Sequence, residues 1–144
     1  MELKEEQIIR LIEEAMKYRL RAYSPYSHYM VGAALLADSG TIYGGCNIEN
    51  ASFGATNCAE RTAFFKAVSE KEMDFSAIAI VGGPTEEAEH GFSDYAYPCG
   101  VCRQVMKEFC KKDFKVIVAR DTRDYKVFEL SELLPMGFGG RYEH

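Results

Sequence analysis

Two stretches of the chain, Phe75 to Val81 and Lys115 to Ala119, are apolar at almost every position instead of alternating with polar residues. A strand with one wet face alternates, so unbroken runs like these demand cover on both sides of the sheet. The covering helices are legible. Glu2 to Ala22 places Leu3, Ile8, Leu11, Ile12, Ala15 and Met16 at helical spacing, with acids at its start and Arg19 and Arg21 at its end, as the macrodipole prefers. A helix from about Cys58 to Lys71 lines up Ala59, Ala63, Phe64, Ala67 and Val68, and Gly100 to Lys111 reads as a third. Met30 to Ala37 and Thr41 to Ile48 form a hairpin about Asp38-Ser39-Gly40, Tyr125 to Phe128 an edge strand, and Ser131 to Leu134 a short last helix. The order predicts an α/β fold, a three-layer α/β/α sandwich with a mixed five-stranded sheet. Strand order is not readable from the pattern.

At 144 residues, with no linker, repeat or composition break, the chain reads as one domain over residues 1–144. A net charge of −5 without a basic stripe argues against nucleic acid or an anionic membrane as partner. No apolar stretch nears the roughly 20 residues that span a bilayer. The start, MELKEEQ, lacks the basic head and apolar middle of a signal peptide, so a cytoplasmic setting is expected. Gly82 to Pro98, carrying Glu86, Glu87, Glu89, His90 and Tyr97, reads as a long loop, a surface excursion or else a lid.

The cysteines carry the chemistry. There are five, an odd number that argues for metal or catalytic use over a disulfide scaffold. Cys99 and Cys102 open a helix three residues apart, and Cys58 opens another. Two helix N-termini aimed at one point would favour three thiolates, the form zinc binds, and would leave a fourth position for water. A CxxC alone also suits a redox pair or half of a structural zinc knot. Cys110 lies about 12 Å along the helix from Cys102 and reads as a small buried hydrophobe. Cys46 is the rival that could close the site; His28 and His90 are weaker rivals, and His144 is the last residue. Glu60 also has two readings. Asn57-Cys58-Ala59-Glu60 fits a capping box, yet a carboxylate in the first turn beside a metal cysteine can reach the metal's water.

Cys58-Ala59-Glu60 followed by Pro98-Cys99-x-x-Cys102 matches the signature of zinc-dependent nucleobase deaminases. With Ser24-Pro25-Tyr26-Ser27, Val31 to Leu36, Gly45 to Ala51, Arg61-Thr62-Ala63, Arg103-Gln104 and Leu133-Leu134-Pro135 with Phe138, the chain resembles cytidine deaminases of the small homotetrameric type. The resemblance implies one zinc per subunit on Cys58, Cys99 and Cys102, and hydrolytic deamination of cytidine and 2′-deoxycytidine to the uridines with release of ammonia, as in pyrimidine salvage. It implies Glu60 as the catalytic acid–base and Arg61 as the cation offsetting the thiolates, where the residue pattern alone allows a surface ion pair. Asn47 and Glu49 would grip the sugar and the Ala59 backbone would read the base. Tyr29, Ala51, Phe53 and Phe138 would surround the substrate, with subunits lending residues to one another's sites. Without the resemblance the first pair is a polar strand end and the aromatics are core. The chain departs from the family's usual choices at Tyr29, more often Phe, and at Phe53, often Tyr. Arg103 and Gln104 read as packing or subunit contacts. Two rivals share the motif: a blasticidin-type deaminase, and a non-catalytic zinc module closed by Cys46.

Overall fold

The computed structural model describes residues 2–87 and 91–143; Met1, 88–90 and His144 lie outside, and with them the Glu89, His90 and His144 considered above. One five-stranded sheet organises the rest, in the order β2-β1-β3-β4-β5. The strands are β1 (Tyr29–Ala37), β2 (Ile42–Cys46), β3 (Phe75–Pro84), β4 (Lys115–Ala119) and β5 (Tyr125–Glu129). Only β3 and β4 run parallel; the other neighbours are antiparallel, so the sheet is mixed as expected. Parallel pairing of β3 with β4 requires a crossover, which the third helix supplies.

Alternate residues of the central strands feed two separate cores. Ala34, Leu36, Ala77, Ala79, Val81 and Ile117 face α1 (Glu5–Arg19), whose Ile8, Leu11, Ile12 and Ala15 bury against them. Ala33, Leu35, Ile78, Ile80, Val116 and Val118 face the opposite way, onto α2 (Ala59–Ser69) and α3 (Gly100–Phe109). A one-residue slip in register would exchange the two sets, so burial on both faces pins the pairing. A four-residue helix, α4 (Leu130–Leu133), closes the second core through Leu130.

Glycine sets how closely the helices approach. A Cβ on Gly32 of β1 would sit 2.0 Å from the Ala15 carbonyl oxygen of α1. One on Gly45 of β2 would sit 2.4 Å from the Ala59 carbonyl oxygen and 2.6 Å from the Ala63 nitrogen. The first turn of α2 therefore rests directly on the backbone of β2.

Two boundaries differ from the sequence reading in ways that matter. β3 continues to Pro84 and a 3-10 turn covers Thr85–Glu87, where a loop starting at Gly82 was expected. Gly82 and Gly83 are not strand breakers here: a Cβ on the first would meet Val31 at 2.9 Å, and one on the second would meet Phe92 at 2.7 Å. Residues 92–96 are not a loose excursion either, since Phe92 is buried in the α1-side core and Tyr95 and Ala96 pack against the other. At the other end β2 stops at Cys46 rather than Ile48. Ile48 instead bridges Tyr23 and Asn57, tying the two segments that precede β1 and α2. Among the described residues no helix is long and apolar enough to cross a membrane.

Candidate active site

The N-termini of α2 and α3 meet on the same face of the sheet, and a cysteine caps each one. Cys58 precedes α2 in extended conformation, as Cys99 precedes α3, with the Cys99 sulfur accepting from the Cys102 N–H at 3.5 Å. The sulfurs of Cys58, Cys99 and Cys102 all lie within 4.8 Å of one another, the only such cluster among the described residues. The Cys58 and Cys99 sulfurs are 3.8 Å apart. Tetrahedral zinc with Zn–S bonds of about 2.3 Å sets its sulfurs about 3.8 Å apart, so the donor set fits that ion in both chemistry and spacing.

Cys46 stands outside the cluster, its thiol turned to the Arg21 carbonyl at 3.4 Å. Cys110 is buried as a hydrophobe at the far end of α3. His28 belongs to no such cluster either. All five cysteines are free.

The surroundings of the Cys58 sulfur favour negative charge. Arg61, one turn into α2, donates from Nη2 to the Cys58 sulfur at 3.3 Å. Its Nε is buried without a partner among the described residues. A hydrogen bond from Cys102 and another from Arg61 draw the Cys58 thiol down to about 5, while the same contact with Cys58, reinforced by burial, pushes Cys102 up. Three thiolates around a divalent cation would leave an excess of about one negative charge, and Arg61 is the positive charge placed to offset it.

Glu60 is 4% exposed and shares a recess with the Cys58 and Cys99 side chains. Burial pushes its carboxyl up to about 7. The capping-box alternative is not realised. α2 begins at Ala59, and the Asn57 N–H that such a box would satisfy donates instead to the Ile48 carbonyl at 2.9 Å. Asn57 uses its amide to reach the Thr62 hydroxyl at 3.1 Å, and that hydroxyl lies 3.0 Å from the Cys46 carbonyl. The segment before α2 is thus fastened to β2 from both sides, and the Glu60 carboxyl is not spent on capping Asn57.

The recess measures about 310 Å³ and is lined by Tyr29, Asn47 and Ala59 besides Glu60 and the cysteines. Asn47 accepts from the Val31 N–H and donates to the Tyr29 carbonyl, both at 2.8 Å, which leaves one amide hydrogen without a partner among the described residues. Glu49 does not join it. Its carboxylate accepts from the Tyr26 and Ser27 N–H groups at 3.0 and 3.1 Å and from the Ser27 hydroxyl. With Ala51 and Phe53 it lines an adjoining recess of about 290 Å³; Thr56 belongs to both. Phe138 lines neither, although its carbonyl is held by Gln104 at 3.2 Å. Arg103 spans from the Pro98 carbonyl to the Leu133 carbonyl, both at 2.8 Å, bracing the cysteine loop against α4. The wall formed by Tyr95, Ala96 and Tyr97 went unrecognised in the sequence, where only its proximity to Pro98-Cys99 hinted at it.

Comparison with known proteins agrees with this geometry. A family model described as the cytidine and deoxycytidylate deaminase zinc-binding region matches residues 5–118. The cytidine deaminase of Sporosarcina psychrophila is 48% identical over 132 residues, 90% of this chain and 89% of that protein. That of Halalkalibacterium halodurans is 49% identical over 128 residues, 89% and 91% of the two chains. The crystal structure of cytidine deaminase from Burkholderia pseudomallei superposes with a TM-score of 0.79 at 44% identity, covering 90% of this chain and 97% of that one.

Proposed function

Since the chain belongs to the zinc-binding cytidine and deoxycytidylate deaminase family, we propose that its recess converts cytidine and 2′-deoxycytidine, with water, to uridine and 2′-deoxyuridine and ammonia. The observation that carries the reading is a buried carboxyl, Glu60, in one recess with Cys58 and Cys99, whose sulfurs converge with that of Cys102. Cys58, Cys99 and Cys102 would hold zinc, which when bound acts as a Lewis acid and lowers the pKa of water toward about 7.

The proton work falls to Glu60. Its carboxylate accepts a proton from the attacking water and delivers it to N3 of the pyrimidine, so that C4 becomes electrophilic. The water oxygen meanwhile bonds to C4; Glu60 then takes the second proton from that hydroxyl and passes it to the amino group, so that the C4–N bond breaks as C4=O forms and ammonia leaves. A carboxyl poised near neutrality is suited to both directions of transfer. Arg61 keeps the sulfurs charged and the cluster from becoming too electron-rich. Asn47, with its remaining amide hydrogen, offers a donor to the sugar, and Tyr29 a face to the base. Glu49, Ala51 and Phe53 take the sugar side from the adjoining recess.

The reading also assigns neighbours. Phe53, Met136 and Phe138 are 88%, 103% and 78% exposed, large apolar side chains that a lone chain leaves in water. A homotetramer in which copies cover these residues and complete one another's recesses accounts for them. Five free cysteines accord with a reducing, cytoplasmic setting.

An absorbance assay with cytidine, deoxycytidine, CMP and adenosine, before and after chelation, tests the reading. Turnover of the two free pyrimidine nucleosides alone, abolished by chelation and restored by zinc, is expected. Preference for CMP or adenosine, or activity indifferent to chelation, would overturn it.

A further inference from the structure

Arg19 is the one arginine with almost no surface, 1% exposed, although it sits at the end of α1, where the sequence reading saw only a cation suited to the helix dipole. Burying a guanidinium is costly unless its hydrogens are engaged. Here Nε donates to the Met30 carbonyl at 3.1 Å and Nη2 to the Gly83 and Pro84 carbonyls at 3.0 and 2.7 Å, while Nη1 is buried without a partner among the described residues. The first acceptor opens β1, one residue after Tyr29; the other two close β3. The guanidinium carbon lies over the Phe92 ring, 4.5 Å from its centre.

Phe92 heads the segment that becomes the recess wall. Its backbone exchanges two hydrogen bonds with Arg120 in the turn between β4 and β5: its N–H donates to the carbonyl at 3.0 Å, and its own carbonyl accepts from Nε at 2.8 Å. Phe92 sits in the α1-side core, whereas Tyr95 and Ala96 pack on the α2 and α3 side. Within a few residues the chain crosses the end of β3 from one face of the sheet to the other. Only glycine at positions 82 and 83 leaves room for that crossing. Arg19 therefore grips the strand ends and the start of the wall from the face opposite Glu60.

We propose that Arg19, stacked on Phe92, is a positioning residue that latches the 91–97 segment so that Tyr95, Ala96 and Tyr97 form a fixed wall of the catalytic recess. The inference rests on the deaminase reading for its kinetic arm alone. An unlatched wall must be ordered anew by each substrate, which weakens binding while leaving the Glu60 proton transfers and the cysteine cluster untouched. Lysine at position 19 keeps the charge but loses the planar fork and much of the stacking. Leucine at position 92 keeps an apolar core and removes the stack.

The test compares Arg19→Lys, Phe92→Leu, Tyr97→Ala and the two double variants with Tyr97→Ala. The latch predicts a rise in KM for cytidine of about tenfold in each single latch variant, with kcat changed less than about twofold and zinc content unchanged. It predicts faster hydrogen exchange at the 91–97 amides without a matching rise in α2. It also predicts that neither latch substitution adds to KM once Tyr97→Ala has removed the wall. An unchanged KM, exchange that rises equally through α2, or full additivity in the double variants overturns it. Should Arg19→Lys fail to fold, Phe92→Leu carries the same readings. The exchange arm needs no turnover, so it judges the latch even if wild-type protein leaves cytidine untouched.

Discussion

The two adjoining recesses are built to different standards. Around Glu60 every element is fixed from within the chain. Two helix N-termini converge there, α2 rests on Gly45 without room for a Cβ, Asn57 and Thr62 tie its approach to β2, and Arg61 engages the Cys58 sulfur. Around Glu49 and Phe53 the chain supplies a carboxylate and an aromatic ring but leaves the ring in water, as it leaves Met136 and Phe138. Chemistry needs atoms placed within fractions of an ångström, which a single packed core provides. Substrate enclosure needs only surface, which a neighbouring copy can lend. On the proposed function, the closed half would carry catalysis and the open half capture.

The sharpest way to break that division is Glu60→Gln. If the closed half holds the chemistry, turnover falls by roughly a hundred- to ten-thousand-fold while zinc stays bound, as metal analysis and steady-state rates would report together. Residual activity near wild type would remove Glu60 from the proton path.

A smaller effect belongs to the open half. Phe53→Ala and Phe138→Ala should raise KM by about tenfold and weaken assembly, with zinc retained, because each removes cover rather than chemistry. Light scattering and kinetics on the same samples check it. A loss of kcat with intact assembly and unchanged KM would place these rings in the closed half after all.

The smallest effect is expected from Cys46→Ala. Its thiol meets only the Arg21 carbonyl, so zinc content should not change and stability should move by less than about 1 kcal/mol in thermal melts. Loss of zinc would revive the closed, non-catalytic module.

Legibility followed the range of the interactions involved. The β4 boundaries agree with the sequence reading, because an apolar run flanked by turns is a local signal. The cysteines that gather were legible too, since helix-start spacing puts Cys99 beside Cys102 and the resemblance named Cys58 as the third. β3 was cut short at Gly82 because glycine reads as a breaker, whereas contacts with Phe92 and Ala96, distant in the chain, demand it. Glu49 looked like the partner of Asn47, two residues away on a strand; that strand ends at Cys46, and the Ser27 turn takes the carboxylate.

Periodicity and residue chemistry determined the layers, the buried strands, the sulfur donors and the presence of a carboxyl among them, because each is encoded within a few neighbouring positions. The fold alone decided which readings of those residues survive. It sent the Asn57 N–H to Ile48 and so spared Glu60 from capping Asn57, turned Cys46 away from the sulfurs, and brought Tyr95 to Tyr97 over the recess. It also buried Arg19 behind the sheet. These outcomes depend on which strands become neighbours, and strand order is a property of the whole chain's packing that no local window of sequence contains.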